Sequence, residues 1–437
     1  MKAARLRFRA ELRSLSDADR AQLLERAPAT DDMVRTTAEA IIDVVRRDGD
    51  AALISLAREY DKVRLKSLEV PRDAWTDALR SLDPSLRAAM ERAVANIKAV
   101  HAAAMPQRVE VAPEPGVIVG RRPDPLHRVG VYAPGGRAAY PSSVLMGVIP
   151  ARVAGVAEVV ICAPPTSNGQ PEPATLAAAE LSGADRVFAV GGAGAIAAMA
   201  YGTATIPRAD RIVGPGNAYV AQAKLLVSNV VGIDSPAGPS ELLIIADDSA
   251  DPMHLAAELL AQAEHDPQAV VALVATDEAL SIRVADAIEK LLPVQGRRAI
   301  IEQALAERGA ILTAPSLREA IAFANRFAPE HLLLATRDAD ALLGDIRSSG
   351  TVFVGETSSV TFGDYVTGAN HVLPTGGLAR SYSGLSTADF VRWTTYQRVT
   401  RETAARLADD VGIFADAEGL PGHAETARAW REGAPVS

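Results

Sequence analysis

Four short stretches of this chain carry residue types that do chemistry. The first is Gln262-Ala-Glu-His265-Asp266-Pro267, an amide and an imidazole three residues apart at the expected end of a helix over 252–264. Side chains at that spacing share a helix face, so two ligands for one ion converge there. A solvated helix end with a dipole-favoured imidazole accounts for the same tetrad. The second is Glu330-His331 in FAPEHLLLA, an acid beside an imidazole at the edge of an apolar run. Such a pair suits proton transfer. Neighbours on a strand face opposite ways, so both reach one cleft only from a turn, and Pro329 fixes the approach. A surface acid beside a half-buried histidine is the plainer reading of that pair taken alone.

The third stretch joins Gly363-Asp364-Tyr365 to Asn370-His371, in a loop too polar and glycine-rich for a core strand. It suits a binding loop, and the turn chemistry of Asp and Asn explains it too. The fourth, Glu418-Gly-Leu-Pro-Gly-His423, interrupts a helical tail. Two glycine loops, Gly191-Gly-Ala-Gly194 and Gly214-Pro-Gly-Asn217, follow expected strands and precede helices, where backbone amides meet a pyrophosphate. Neither is a GxGxxG fingerprint, and tight turns use glycine for their own reasons.

The chain that must position these residues has 437 of them, 48% hydrophobic and 23% charged, a composition that folds. A net charge of −9 and an aromatic content of 4% argue against a nucleic-acid partner. One cysteine, Cys162, excludes an internal disulfide and a Cys-rich metal centre. The N-terminus lacks the apolar core of a signal peptide, and charges, Pro or Gly break every run long enough to span a bilayer. The expectation is a cytoplasmic protein with no membrane partner.

Apolar residues recur at three- and four-residue spacing from Asp31 to Met105, and from Arg128 short apolar strands alternate with Ala-rich helices. The expected fold is α/β, with two Rossmann-like units in one chain. Residues 1–127 form a helical N-terminal region, 128–237 the first unit on the nucleotide side, 238–380 a second unit, and 381–437 a helical tail. Ligands of open parallel sheets sit at the carboxyl ends of strands, where the glycine loops fall. The tail is too short to bury itself and must pack on the body or on another subunit, so an oligomer is expected.

Taken together and in order, VGVYAPGG, PSSVLM, GPGNAYV, AGPSE, QAEH, FAPEHL, GDY, NHVLPTGG and EGLPGH resemble the histidinol dehydrogenase family. The resemblance implies a homodimer that binds zinc and NAD and oxidises a small-molecule alcohol, L-histidinol. The product is L-histidine, reached by two successive NAD-dependent oxidations through histidinal in the last step of histidine biosynthesis. Matched residue by residue, it implies Gln262, His265, Asp364 and His423 as zinc ligands, with His423 supplied by the tail of the partner subunit. Two imidazoles, a carboxylate and an amide oxygen, without a thiolate, leave room for a substrate group on the metal. The resemblance further implies His331 as general base and Glu330 as the residue that activates water for the second oxidation. Tyr132 and Asn217 match NAD contacts. Ser240, His371 and Glu418 match substrate contacts, as do His331 and the four metal ligands Gln262, His265, Asp364 and His423.

Two positions depart from the family pattern. Gly194 stands where the family commonly has a Gln that meets the cofactor. Val360 stands four residues before Asp364, where the family usually has a Glu that helps hold the substrate's amino group. Losing that carboxylate removes roughly 1.5–3 kcal/mol, about ten- to a hundredfold in affinity. Glu356 lies in the same segment and is the acid that could swing in. The departures leave two further readings. One is a related zinc and NAD dehydrogenase for another primary alcohol, for which Val360→Glu would restore a preference for histidinol. The other is a non-catalytic metal-binding paralogue, against which the intact set of base, acid and ligands speaks.

Overall fold

A computed structural model describes residues 5–26, 32–135 and 139–431. Gly136, the last residue of the VGVYAPGG stretch, and residues 432–437 of the tail lie outside the described residues. In chain order the strands are β1 (Phe8–Glu11), β2 (Val109–Val111), β3 (Val117–Pro125), β4 (Arg128–Tyr132), β5 (Glu158–Ala163), β6 (Arg186–Ala189) and β7 (Arg211–Val213). They continue as β8 (Gly232–Ile233), β9 (Glu241–Ala246), β10 (Val270–Ala275), β11 (Gly309–Thr313), β12 (His331–Ala335), β13 (Thr351–Val354) and β14 (Val391–Val399).

Two parallel sheets result. The first has the order β6-β5-β4-β7-β8 and the second β1-β11-β10-β9-β12-β13. The runs ELLIIA, VVALVA and HLLLA are buried along their whole length because helices cover both faces of the sheet. Leu242 and Ile244 of β9 join Leu255 and Leu259 of the helix Pro252–Ala263 in one core cluster. Leu243 and Ile245 join Phe323 and Phe327 of the helix Leu317–Phe327 in the other. Each such side chain contributes roughly 1.5–3 kcal/mol by leaving water. Strand order reverses once per sheet, where β4 lies between β5 and β7 and where β9 lies between β10 and β12.

The expected units at 128–237 and 238–380 hold β4–β8 and β9–β13, but the flanking regions differ from a purely helical reading. The N-terminal region contributes β1, which extends the second sheet by pairing in parallel with β11. The tail contributes β14, which pairs antiparallel with all nine residues of β3, and β2 completes that small sheet. β14 reads VRWTTYQRV and is mostly exposed, so backbone pairing rather than burial makes it a strand, and no apolar pattern announces it. By compactness the chain divides into residues 1–104 with 126–390, which hold both parallel sheets, and residues 105–125 with 391–437. In the second of these units the helices Arg401–Ala417 and Pro421–Arg428 pack on each other.

One loop at the carboxyl end of the first sheet is tightly constrained. Gly214, just after β7, has φ +115°, and a Cβ there would overlap the carbonyl oxygen of Tyr132 at the end of β4. Its N–H donates to Asp234 Oδ2 at 2.7 Å and its carbonyl accepts from Lys224 Nζ at 3.1 Å, the two side chains forming a buried ion pair. Gly214→Ala combines a disfavoured φ with a backbone clash and is expected to cost about 2–4 kcal/mol in urea unfolding; an unchanged midpoint would show that the loop relaxes freely.

Candidate active site

The expected acid–imidazole pair sits at a turn. The helix Leu317–Phe327 ends at Ala328, which adopts a left-handed conformation (φ +51°), and Pro329 leads into Glu330 just before β12 begins at His331. Both side chains are buried, and His331 Nδ1 lies 3.4 Å from Glu330 Oε2. His331 Nδ1 also lies 3.0 Å from the carbonyl oxygen of Glu241, the first residue of the adjacent β9. A carbonyl only accepts, so Nδ1 carries the proton of the neutral ring. Nε2 is buried without a hydrogen-bond partner, 3.5 Å from Asp364 Oδ1.

Glu241 organises this turn from below. Its N–H donates to Glu330 Oε2 at 2.7 Å, and its own carboxylate accepts from Arg26 Nε at 2.9 Å, Arg26 Nη2 at 3.0 Å and the Gly376 N–H at 2.9 Å. The side chains of Arg26 and Glu241 are 1% and 2% exposed, and the guanidinium lies over the Phe327 ring, 3.4 Å from its centroid. This ensemble lies at the amino ends of β9 and β12, so the carboxyl-end rule that locates the glycine loops does not locate the acid–imidazole pair.

The charges interact strongly. Burial pushes the Glu330 carboxyl up against the opposing pull of His331. Burial also works against the His331 imidazolium, but Glu330 and Asp364 outweigh it and hold its pKa well above the ordinary value. Asp364 is desolvated as well, yet His331, His371 and His265 together keep its carboxyl below the usual range. His371 Nδ1 lies 2.9 Å from the Asp364 carbonyl oxygen and its Nε2 is 3.5 Å from Ser143 Oγ. Burial lowers the His371 pKa, leaving the ring neutral near pH 7.

The helix Pro252–Ala263 carries Gln262 near its end. Asp251 caps it through the Met253 N–H, Pro252 occupies its first turn, and Leu255, Leu259 and Ala263 fix the buried face. It stops before His265, so the two expected ligands do not share one helix. Gln262 is buried with its amide nitrogen unpartnered, while His265 is exposed in the following bend and acts electrostatically on Asp364 and His371. Beside it runs the short helix Val360–Tyr365. Val360 at its start is 2% exposed and belongs to the core cluster under β9, so it packs as a core residue. Glu356 does not swing in: it accepts the Asp251 N–H at 3.1 Å and lies 3.0 Å from His254 Nδ1.

On the first sheet, Tyr132 ends β4 and its hydroxyl accepts the Gly192 N–H at 3.1 Å, burial pushing the phenol up to about 12. Asn217 caps the helix Ala218–Val227 by accepting from the Tyr219 and Val220 N–H groups, which leaves its amide nitrogen available. At Gly194 an added Cβ would press on the side-chain ends of Leu56 and Leu53 of the helix Asp50–Leu56, which would have to give by a few tenths of an ångström. Ser240 is partly buried immediately before β9. Glu418 and His423 are exposed residues of the second compact unit.

The chain matches the histidinol dehydrogenase family over residues 24–431. It belongs to the histidinol dehydrogenase family. Histidinol dehydrogenase of Methanosarcina mazei is 45% identical over 420 residues, covering 96% of each chain. That of Natronomonas pharaonis is 49% identical over 413 residues, covering 94% of this chain and 97% of the relative. The crystal structure of histidinol dehydrogenase from Elizabethkingia anophelis superposes with a TM-score of 0.94 at 35% identity, covering 98% of this chain and 99% of that one. Membership in the histidinol dehydrogenase family makes the chain an oxidoreductase by relationship, with an α/β fold of parallel sheets.

Sequence reasoning missed Glu241, Arg26, Ser143 and Glu258, the last half-buried on the helix Pro252–Ala263. An acid opening the wholly buried run ELLIIA was a usable signal for Glu241; nothing in the sequence pointed to Arg26. Arg26→Met removes the cation from a buried carboxylate and is expected to cost about 3–5 kcal/mol in chemical denaturation, with Glu241→Gln recovering part of it in the double variant. Val360→Glu sends a carboxylate into an apolar cluster, and a loss of about 2–4 kcal/mol in the same measurement is expected rather than a gain in substrate preference.

Proposed function

We propose that this protein oxidises L-histidinol to L-histidine in two successive NAD-dependent steps through histidinal. The observation that carries this reading is His331, buried with Nδ1 committed to the Glu241 carbonyl and Nε2 3.5 Å from Asp364 Oδ1, a base whose protonated form Glu330 and Asp364 stabilise. In the first step Nε2 takes the substrate's hydroxyl proton as the adjacent carbon gives up a hydride. In the second, Glu330 takes a proton from water as the water oxygen bonds to the aldehyde carbon, and His331 returns its proton to the aldehyde oxygen, which gives the hydrate. His331 then takes a hydroxyl proton of the hydrate as the second hydride leaves. NAD, held beside that carbon, would supply the hydride acceptor for both oxidations.

Tyr132 and Asn217 are assigned to NAD. What supports this is the reversal of strand order at β4 and β7, whose carboxyl ends carry both residues' loops, and the backbone approach at Gly214 that leaves no room for a Cβ. Zinc is assigned to Gln262, His265 and Asp364, completed by His423 of the partner subunit. What supports this is the chemistry of the donor set, an amide oxygen, an imidazole and a carboxylate, with the Gln262 side chain buried. Among the described residues no three His, Cys, Asp or Glu side chains gather as a metal site. The chain's own share of the set has only two such donors, His265 and Asp364, beside the Gln262 amide, and His423 of the partner subunit would add a further one. A bound zinc would polarise and orient the substrate oxygen.

A homodimer is supported by apolar surface on the tail, where Phe414 is 73% and Trp430 50% exposed. Ser240, His371 and Glu418 are assigned to substrate, in addition to the metal ligands and His331. Among the described residues no helix is long and apolar enough to cross a membrane, and a cytoplasmic location is proposed. A second reading, an alcohol without an ammonium group, draws on the core position of Val360. The test is NADH formation by the zinc-loaded protein. L-Histidinol is expected to yield two NADH per alcohol, His331→Asn to lower kcat about a hundred- to ten-thousandfold, and Glu330→Gln to stall after one NADH. Absence of turnover with L-histidinol, beside turnover of another alcohol, would replace the reading with the second.

A further inference from the structure

Two buried acids meet where β9 and β12 begin. Register pairs His331 with Leu242, so Glu330 and Glu241 are neighbours one position earlier on the adjacent strands. Each donates its backbone N–H to the other's carboxylate, Glu241 to Glu330 Oε2 at 2.7 Å and Glu330 to Glu241 Oε2 at 3.4 Å. Like charges so placed repel, and a buried carboxylate requires a cation or a proton. Arg26 supplies the cation to Glu241, donating to both of its carboxylate oxygens. Glu330 makes its ion-pair contact with His331 instead.

The guanidinium is held by more than Glu241. Nη1 donates to the Leu23 carbonyl at 3.1 Å, Nη2 donates also to the Phe327 carbonyl at 2.7 Å, and the group lies over the Phe327 ring. It therefore stays at these strand starts whether or not residue 241 is charged. Among the described residues the other buried acids are Asp234, paired with Lys224 on the first sheet, and Glu330. Glu330 is thus the acid that Glu241 shields from Arg26. The shielding matters because a carboxylate paired with a guanidinium is held in its ionised form and is a weaker base. Burial pushes the Glu330 carboxyl up, His331 pulls it down, and the Glu241 charge adds to the rise. No hydrogen bond from a described residue reaches Glu330 Oε1, and 8% of the side chain stays open.

We propose that Glu241 is a positioning residue for the second oxidation: its carboxylate captures Arg26 and so keeps Glu330 an unpaired base toward water. The proposal rests on the functional reading above and deepens it. Glu241 touches neither substrate nor cofactor in this assignment and acts through Glu330.

The test offers L-histidinal to the zinc-loaded protein in two directions. With NAD and water it is oxidised to histidine, which needs Glu330; with NADH and a proton it is reduced to histidinol, which does not. The ratio of the two kcat values separates water activation from general damage to the site, which lowers both. Wild type, Glu241→Gln and the double variant Glu241→Gln/Arg26→Met are compared. In Glu241→Gln the guanidinium is left with Glu330 as its counter-ion, and the oxidation-to-reduction ratio is expected to fall about ten- to a hundredfold. In the double variant both charges are gone, and the ratio is expected to return to within about threefold of wild type. If one variant does not fold, the other decides. A fall of less than about tenfold in Glu241→Gln, or a double variant more than about threefold below wild type, overturns this proposal alone. A wild-type protein that converts L-histidinal in neither direction overturns the functional reading and this proposal with it.

Discussion

Glu241 and Arg26 place two formal charges where almost no water reaches, and the rest of the site is arranged around keeping them satisfied. A buried pair of this kind is weak evidence for stability, since desolvation consumes much of the Coulombic gain. Its value here is geometric. The carboxylate accepts from two of the guanidinium nitrogens and from the Gly376 N–H, while the backbone of the same residue holds Glu330 through its N–H and His331 through its carbonyl. One residue thus sets the imidazole tautomer, the orientation of the neighbouring acid and the start of two strands.

From that anchor the proton chemistry has one free atom, His331 Nε2, and a graded electrostatic surround. Asp364 favours a proton on His331, Glu330 does the same from the other side, and burial opposes both. His371 is neutral, with Nδ1 toward the Asp364 carbonyl and Nε2 toward Ser143. The site therefore combines one imidazole of high proton affinity with one of low affinity, both in contact with Asp364, which suits stepwise removal of protons from an alcohol and then from its hydrate.

The first parallel sheet supplies a different service. The loops after β4, β6 and β7 come together because strand order reverses there, and close packing rather than side-chain chemistry shapes them. Gly214 sits against the Tyr132 carbonyl and Gly192 donates to the Tyr132 hydroxyl, so two glycine loops are tied to one aromatic residue. The buried Lys224–Asp234 pair braces the Gly214 backbone from both sides, as Arg26–Glu241 braces the other sheet.

The alternation of apolar strands with Ala-rich helices was legible in the sequence because buried parallel strands are continuous apolar runs, and ELLIIA, VVALVA and HLLLA state that plainly. The pairing of Glu330 with His331 at a turn was legible through Pro329. Strands β1 and β14 were not, since edge and exposed strands take their order from backbone pairing with segments far along the chain, β11 and β3. The core position of Val360, the commitment of Glu356 to a helix cap and the link from Arg26 to Glu241, 215 residues away, are likewise invisible in one dimension. Local residue type determined which elements form and which side chains are able to do chemistry. Only the packing of distant segments decided which of those side chains share a buried wall, because desolvation and close contact act between neighbours in space whatever their separation along the chain.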